Sequence, residues 1–131
     1  MIKIVVIGAG GRMGKTISAC VEDTEGVNLK GGTEYAGHPA IGRDLGELAG
    51  IGKKEISIVE NIEIALADCD VVIDFTTPES SLQTLGAAVS LKKSAVIGTT
   101  GFSVEQKKII SGAAEKIRCV FAPNMSVCVN V

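Results

Sequence analysis

The sequence has no excess of positive charge and no long apolar stretch. Lysine and arginine together number 13, against 15 aspartates and glutamates, for a formal net charge of -2. Such a balance gives no basic field for a phosphate backbone, so we expect no nucleic-acid partner. No segment approaches the ~20 apolar residues of a membrane span, and the opening apolar run stops at Gly8 without a signal-peptide cleavage pattern. We therefore expect no membrane partner and a cytoplasmic location.

Metal-binding patterns are also absent from the sequence. The four cysteines form no CxxC pair, and His38 is the only histidine. Zinc sites usually show cysteine and histidine at short, regular spacing, so we expect no metal. We expect His38, in a glycine-rich stretch, to be a surface residue and not an acid catalyst.

The composition is that of an ordinary globular domain. The 131 residues are 46% hydrophobic and 21% charged, which predicts one domain over residues 1–131. The apolar end at residues 127–131 lacks the polar termination expected of a finished chain. We therefore expect this chain to be part of a longer protein.

Short β-branched runs alternate with helical patterns along the chain. We expect six strands, at residues 2–7, 27–34, 56–59, 71–75, 95–97 and 118–121, with residues 35–54 mostly a long loop. Thr77 and Ser103 are expected to cap two of the helices. The alternation predicts an α/β fold, a Rossmann-type doubly wound parallel sheet with strand order 3-2-1-4-5-6. The expected buried helix faces are Met13, Ile17, Cys20 and Val21; Leu82, Leu85 and Val89; and Ile109, Ile110, Ala113 and Ile117.

A glycine-rich loop at residues 8–14, Gly-Ala-Gly-Gly-Arg-Met-Gly, separates the first strand from the first helix. Backbone N–H groups at such a position bind a pyrophosphate. The strict GxGxxG pattern fails at Met13, whereas GxxGxxG fits. We expect Gly8 to form the turn, Gly11 to let the backbone approach the pyrophosphate, and Gly14 to let the helix pack closely.

A P-loop is disfavoured because GxxxxGK[ST] is incomplete, with Ala9 five residues before Gly14. An evident magnesium ligand is also missing apart from Asp74. A lone aspartate at a strand end is usually a turn or capping residue.

Glu34 lies twenty residues after Gly14, at the end of the second predicted strand. An acidic side chain there accepts hydrogen bonds from the adenosine ribose, which favours NADH. Tyr35 follows where a basic residue would pair with a 2′-phosphate, although Lys30 or Arg43 could reach that group and permit NADPH.

Two further motifs follow strands. They are Gly98-Thr99-Thr100-Gly101 and Ala122-Pro123-Asn124-Met125. Both should emerge at the carboxyl edge of a parallel sheet, where such folds bind ligands. Their hydroxyl and amide groups suit a carboxamide, and a methionine suits an apolar ring.

Together these motifs resemble the 4-hydroxy-tetrahydrodipicolinate reductases, NAD(P)H-dependent oxidoreductases of diaminopimelate and lysine biosynthesis. The resemblance spans the chain and includes Asp74-Phe75-Thr76. It implies that Gly8, Ala9, Gly10, Gly11, Arg12 and Met13 hold the pyrophosphate and that Glu34 and Tyr35 lie at the ribose. It also implies that Phe75, Thr76, Gly98, Thr99, Thr100, Ala122, Pro123, Asn124 and Met125 hold the nicotinamide half.

The resemblance further implies that the catalytic residues belong to an absent substrate domain. That domain supplies a histidine pair, a lysine and a serine-glycine-threonine loop, and contributes most contacts of a homotetramer. This chain is then expected to bind cofactor without turnover. Two alternatives stay open: a non-catalytic NAD(H)-responsive regulatory module, and a dehydrogenase of another small substrate.

Overall fold

The computed structural model describes residues 1–121, which form a five-stranded, fully parallel sheet with five helices. The strands are β1 (Ile2–Ile7), β2 (Val27–Thr33), β3 (Val71–Asp74), β4 (Ser94–Ile97) and β5 (Cys119–Phe121). The helices are α1 (Arg12–Glu22), α2 (Leu45–Ala49), α3 (Ile62–Leu66), α4 (Pro78–Leu91) and α5 (Val104–Ala114). The order β2-β1-β3-β4-β5 places the first strand beside both the second and the third.

This order confirms the predicted Rossmann arrangement except at one edge. The strand predicted at residues 56–59 is wrong, since this segment contributes only isolated bridges, one of them between Val59 and Thr33. The backbone groups of Ile58 bond instead to the loop before α2, with Ile58 N–H donating to Arg43 O and Gly42 N–H donating to Ile58 O. The segment therefore touches β2 only at its end.

The expected long loop at residues 35–54 contains a short helix, α2. Asp44 caps its N-terminus by accepting from the Glu47 N–H, and Gly50 ends it in the left-handed conformation at φ 76°. Both are local helix signals. Because many glycines surround it, this short helix is not evident from the sequence pattern.

The sheet separates two hydrophobic cores because successive strand residues point to opposite faces. On one face Ile4 and Val6 of β1 pack with residues of α1 and α2. On the other, Val5 and Ile7 pack with residues of α3, α4 and α5. The predicted doubly wound arrangement is confirmed.

The helices bury smaller and more polar faces than the hydrophobic pattern predicts. Met13 is 48% exposed and Ile109 is 56% exposed, although both were expected to be buried. The buried faces are Gly14, Ile17, Ser18 and Val21 in α1, and Ser81, Thr84, Leu85 and Ala88 in α4. Small side chains let helices lie close to the sheet, and Ser18 satisfies its hydroxyl on the carbonyl of Gly14.

Candidate functional site

The loops after β1, β2 and β3 border one cleft of about 620 Å³ at the carboxyl edge of the sheet. This is the edge at which parallel α/β sheets bind ligands. Of the residues proposed from sequence, the cleft is lined by Gly8, Gly11, Arg12, Met13, Glu34, Tyr35, Phe75 and Thr76. The structure thus brings together the predicted pyrophosphate and ribose groups.

The glycine loop has the geometry that its spacing predicts. Gly8 adopts φ 72°, which side chains rarely tolerate. A Cβ at Gly14 would lie 2.1 Å from the carbonyl oxygen of Gly8, so only glycine lets α1 pack against the turn. Gly11 is exposed, and a Cβ there would make only an ordinary contact, which leaves its backbone open to a ligand.

The N-terminus of α1 has no side-chain cap, since Gly11 occupies the N-cap position. The other four helices of residues 1–121 begin at Asp44, Asn61, Thr77 and Ser103, whose side chains accept from the helix backbone. The first turn of α1 also contains no acidic residue. Backbone donors, a positive helix end and Arg12 on the cleft together fit a pyrophosphate.

Glu34 is buried at the end of β2, with 8% of its surface exposed. Its Oε2 accepts from the N–H of Gly10 at 2.9 Å, which joins the acidic residue directly to the glycine loop. A Cβ at Gly10 would lie 2.7 Å from Ala40 Cβ and 2.9 Å from His38 Cε1. The GxxGxxG spacing assigns no role to Gly10, but the close packing of Ala40 and His38 against it requires a glycine there.

His38 lies on the cleft beside Glu34 and is partly buried, so it is more enclosed than the surface position expected for it. Its side chain is 19% exposed, and its Nε2 lies 3.8 Å from Glu34 Oε2. The ring Nδ1 accepts from the Ala40 N–H, so the hydrogen of the neutral ring is on Nε2, facing Glu34. The rings of His38 and Tyr35 also pack in a T-shaped arrangement, with centroids 4.9 Å apart. The position of His38 four residues after Glu34 was the only sequence signal.

The predicted nicotinamide residues are only partly on the cleft. Phe75 and Thr76 line it, whereas Gly98, Thr99 and Thr100 do not. A Cβ at Gly98 would lie 2.0 Å from the ring of Phe75, so the two loops are in close contact. Of the pyrophosphate residues, Ala9 is buried and Gly10 also lies off the cleft wall. The predicted site residues Ala122, Pro123, Asn124 and Met125 lie outside the described residues.

Within residues 1–121, no group of three or more acidic, cysteine and histidine side chains is placed to hold a metal ion. None of the helices in this part of the chain has the length and apolar character needed to cross a bilayer.

Comparison with known proteins identifies the same family as the sequence motifs. The family model "Dihydrodipicolinate reductase, N-terminus" matches residues 2–125. The chain is 47% identical over its whole length to the 4-hydroxy-tetrahydrodipicolinate reductase of Geotalea daltonii, of which it covers 49%. It is 46% identical to the reductase of Pelobacter propionicus, again covering 49%. The chain thus spans about half the length of the curated relatives it matches.

Solved structures give the same result. The dipicolinate-bound dihydrodipicolinate reductase from Paenisporosarcina sp. TG-14 matches 95% of this chain and 48% of its own, at 30% identity and a TM-score of 0.74. An amine dehydrogenase from Mycobacterium smegmatis matches 92% of this chain and 38% of its own at 20% identity and a TM-score of 0.74, which shows a shared fold alone. The chain belongs to the dihydrodipicolinate reductase family and corresponds to its N-terminal part.

Proposed function

We propose that this chain binds a nicotinamide dinucleotide and serves as the cofactor-holding part of a 4-hydroxy-tetrahydrodipicolinate reductase in diaminopimelate and lysine biosynthesis. The observation that carries the proposal is the hydrogen bond from the Gly10 N–H to Glu34, which holds a carboxylate suited to a ribose beside the uncapped end of α1. One cleft then offers groups for both ends of an adenosine diphosphate.

The residues divide by the part of the cofactor that they bind. The glycine loop with Arg12 and Met13 binds the pyrophosphate, and Glu34 and Tyr35 bind the adenosine ribose. The nicotinamide half is held by residues 75–76, 98–100 and 122–125. When bound, the cofactor supplies the hydride for reduction of the substrate ring. The chain's own residues orient the cofactor and exclude water from it.

The substrate, a small dipicolinate-type ring, is proposed to contact the remainder of the full-length protein. That remainder would supply the catalytic residues and most contacts of a homotetramer. We accordingly propose that this chain by itself binds cofactor without turnover, and that the enzyme acts in the cytoplasm. The regulatory alternative has no support, since the relatives reported above are named as reductases.

We propose a preference for NADH over NADPH. A 2′-phosphate would bring negative charge close to the buried Glu34 carboxylate. The basic residues that the sequence offered for that phosphate do not line the cleft. Lys30 lies 3.8 Å from Asp68 in an ion pair, and Arg43 also lies outside the lining.

Calorimetric titration of the chain with NADH and NADPH separately tests this proposal. Glu34→Gln retains an oxygen for the Gly10 N–H but removes the charge, so NADH affinity should fall by about 1 kcal/mol, the difference between charged and neutral hydrogen bonds. The NADH-to-NADPH affinity ratio should fall with it.

Glu60→Gln is the matched control, because Glu60 is an exposed carboxylate on the same cleft. It should leave the ratio unchanged. Equal binding of both cofactors by the unaltered chain would refute the preference, and an unchanged ratio in Glu34→Gln would refute the charge of Glu34 as its cause. Absence of binding to either would refute the proposed function.

A further inference from the structure

Asp74, at the end of β3, is fully buried, with 0% of its surface exposed. Its Oδ1 accepts three hydrogen bonds: from Thr76 N–H at 2.9 Å, from Thr76 Oγ1 at 2.6 Å and from Ser81 Oγ at 3.0 Å. The bond to the Thr76 N–H is the turn-forming contact expected of an aspartate at a strand end. The two hydroxyl bonds exceed what a turn requires.

The hydroxyl bonds form a chain with a defined direction. The Thr76 N–H has no capacity to accept, so Oδ1 is an acceptor, and Ser81 donates its one hydroxyl hydrogen to it. Ser81 Oγ therefore accepts from Thr99, whose Oγ1 lies 2.6 Å away. Thr99, 3% exposed, is thereby tied through Ser81 to Asp74.

The same aspartate also determines where the Thr76 methyl group lies. With the Thr76 hydroxyl bonded to Asp74, the methyl carbon Cγ2 lies against the glycine loop, 2.6 Å from the position of a Cβ at Gly8. Next to Thr99, Gly98 packs under the ring of Phe75. One carboxyl group thus connects the loops after β1, β3 and β4.

The other carboxylate oxygen, Oδ2, is buried and has no hydrogen-bond partner among residues 1–121. Burial of an unsatisfied polar atom opposes folding, and a hydrophobic residue would avoid that cost. A group of this kind in a native structure calls for an explanation beyond stability. Asp74 lies between the loops at the ligand-binding edge of the sheet, and a functional role at that edge is such an explanation.

We propose that Asp74 is a positioning residue that acts through Ser81 and Thr76 to hold the loops after β3 and β4 in the arrangement that receives the nicotinamide half of the cofactor. This inference rests on the proposed function, but it concerns a residue that does not itself touch the cofactor. Removal of the Ser81 link should loosen the loop at residues 98–100 while leaving the adenosine end intact.

The test compares NADH with ADP-ribose, which has the adenosine and pyrophosphate but no nicotinamide. Ser81→Ala removes one hydroxyl and breaks the chain without removing the buried carboxylate, so it is expected to fold. Its affinity for NADH should fall about three- to tenfold, the range of a single net hydrogen bond. Its affinity for ADP-ribose should stay within about twofold.

Thr84→Val is the matched control. Thr84 is on the same helix, is equally buried, and its Oγ1 has no hydrogen-bond partner in the described part of the chain. This variant should change neither affinity. A Ser81→Ala variant that weakens both ligands equally, or neither, would overturn the positioning role.

Amide hydrogen exchange without ligand separates this inference from the proposed function. Ser81→Ala should accelerate exchange at residues 98–100, and Thr84→Val should not. Unchanged exchange in Ser81→Ala would overturn the inference even where NADH binds normally. If the unaltered chain fails to bind NADH, the proposed function fails, and the exchange result still decides whether Asp74 and Ser81 hold the loop.

Discussion

Two helical glycines have opposite surroundings, although both interrupt helices in the same way. Gly14 in α1 has no room for a side chain, because a Cβ would lie 2.1 Å from the Gly8 carbonyl oxygen and 2.7 Å from Ala9 Cα. A Cβ at Gly86 in α4 would meet no atom of residues 1–121 within 4 Å. The first glycine is required by packing, and the second only adds flexibility to the unfolded chain.

Alanine at these two positions should therefore have opposite effects on stability. Gly14→Ala should lower the free energy of unfolding by about 1–3 kcal/mol, because the clash involves backbone atoms. Gly86→Ala should raise it by about 0.5–1 kcal/mol. Urea unfolding measures both. A stabilised Gly14→Ala variant would show that α1 does not pack on the turn after β1.

Some residues of the site could be predicted from the sequence and others could not. The roles of Gly8 and Gly14 were predictable because the turn and the helix packing depend on fixed spacing along a continuous segment. The contact of His38 with Glu34 was not, since a ring facing a carboxylate depends on the path of the intervening loop. The hydrogen bonds that link Asp74, Ser81 and Thr99 were not predictable for the same reason, because Ser81 and Thr99 belong to different elements.

At the scale of elements, local hydrogen bonds explain which boundaries were predictable. Thr77 and Ser103 were expected as caps, and both accept from the backbone three residues on. Asp44 performs this role for α2 but also accepts from the distant N–H groups of Lys54 and Ile56. Those bonds organise the whole segment 44–56, and no local pattern encodes them.

Asp44 should make this segment sensitive to acid. The backbone N–H groups of Lys54, Glu47, Ile56 and Glu55 hold the pKa of its carboxyl below the ordinary value of 3.8. Because the pKa is lower in the folded state, the charged carboxylate stabilises the fold above pH 3.8. This contribution is lost as the pH falls from 3.8 through the folded-state pKa.

Asp44→Asn should therefore be less stable at neutral pH and should lose less stability on acidification. Denaturant unfolding measured from pH 6 down to about pH 3 gives both quantities. Asp23→Asn, at the end of α1, alters an exposed carboxylate and serves as the control. An Asp44→Asn variant with the same acid slope as the unaltered chain would contradict the role given to these bonds.

At the scale of the whole molecule, the sheet order was predictable because short apolar strands alternate with helices along the chain, and helical crossovers join parallel strands in the Rossmann order. The missing edge strand was not, because Ile56 and Ile58 are as apolar and β-branched as a true strand. Their backbone groups form hydrogen bonds with residues 42–45. Whether this segment pairs with those residues or with β2 depends on tertiary structure, which the local sequence does not determine.

The two cores share one sheet, so the described part of the chain should unfold as a single unit. Leu85, 2% exposed, belongs to the core on the α4 side, whereas the cleft residue Tyr35 follows β2, whose Leu29 packs in the opposite core. Leu85→Ala should cost about 2–5 kcal/mol. In a cooperative domain this loss of stability also lowers the unfolding midpoint measured on the far side of the sheet.

Tyr35 provides the probe, because it is the only tyrosine and the chain has no tryptophan. Its fluorescence reports the cleft, and far-UV circular dichroism reports all the helices. In both the unaltered chain and Leu85→Ala, the two signals should give coincident urea transitions. A Leu85→Ala transition that moves by circular dichroism but not by fluorescence would mean that the sides of the sheet unfold separately, against a single domain.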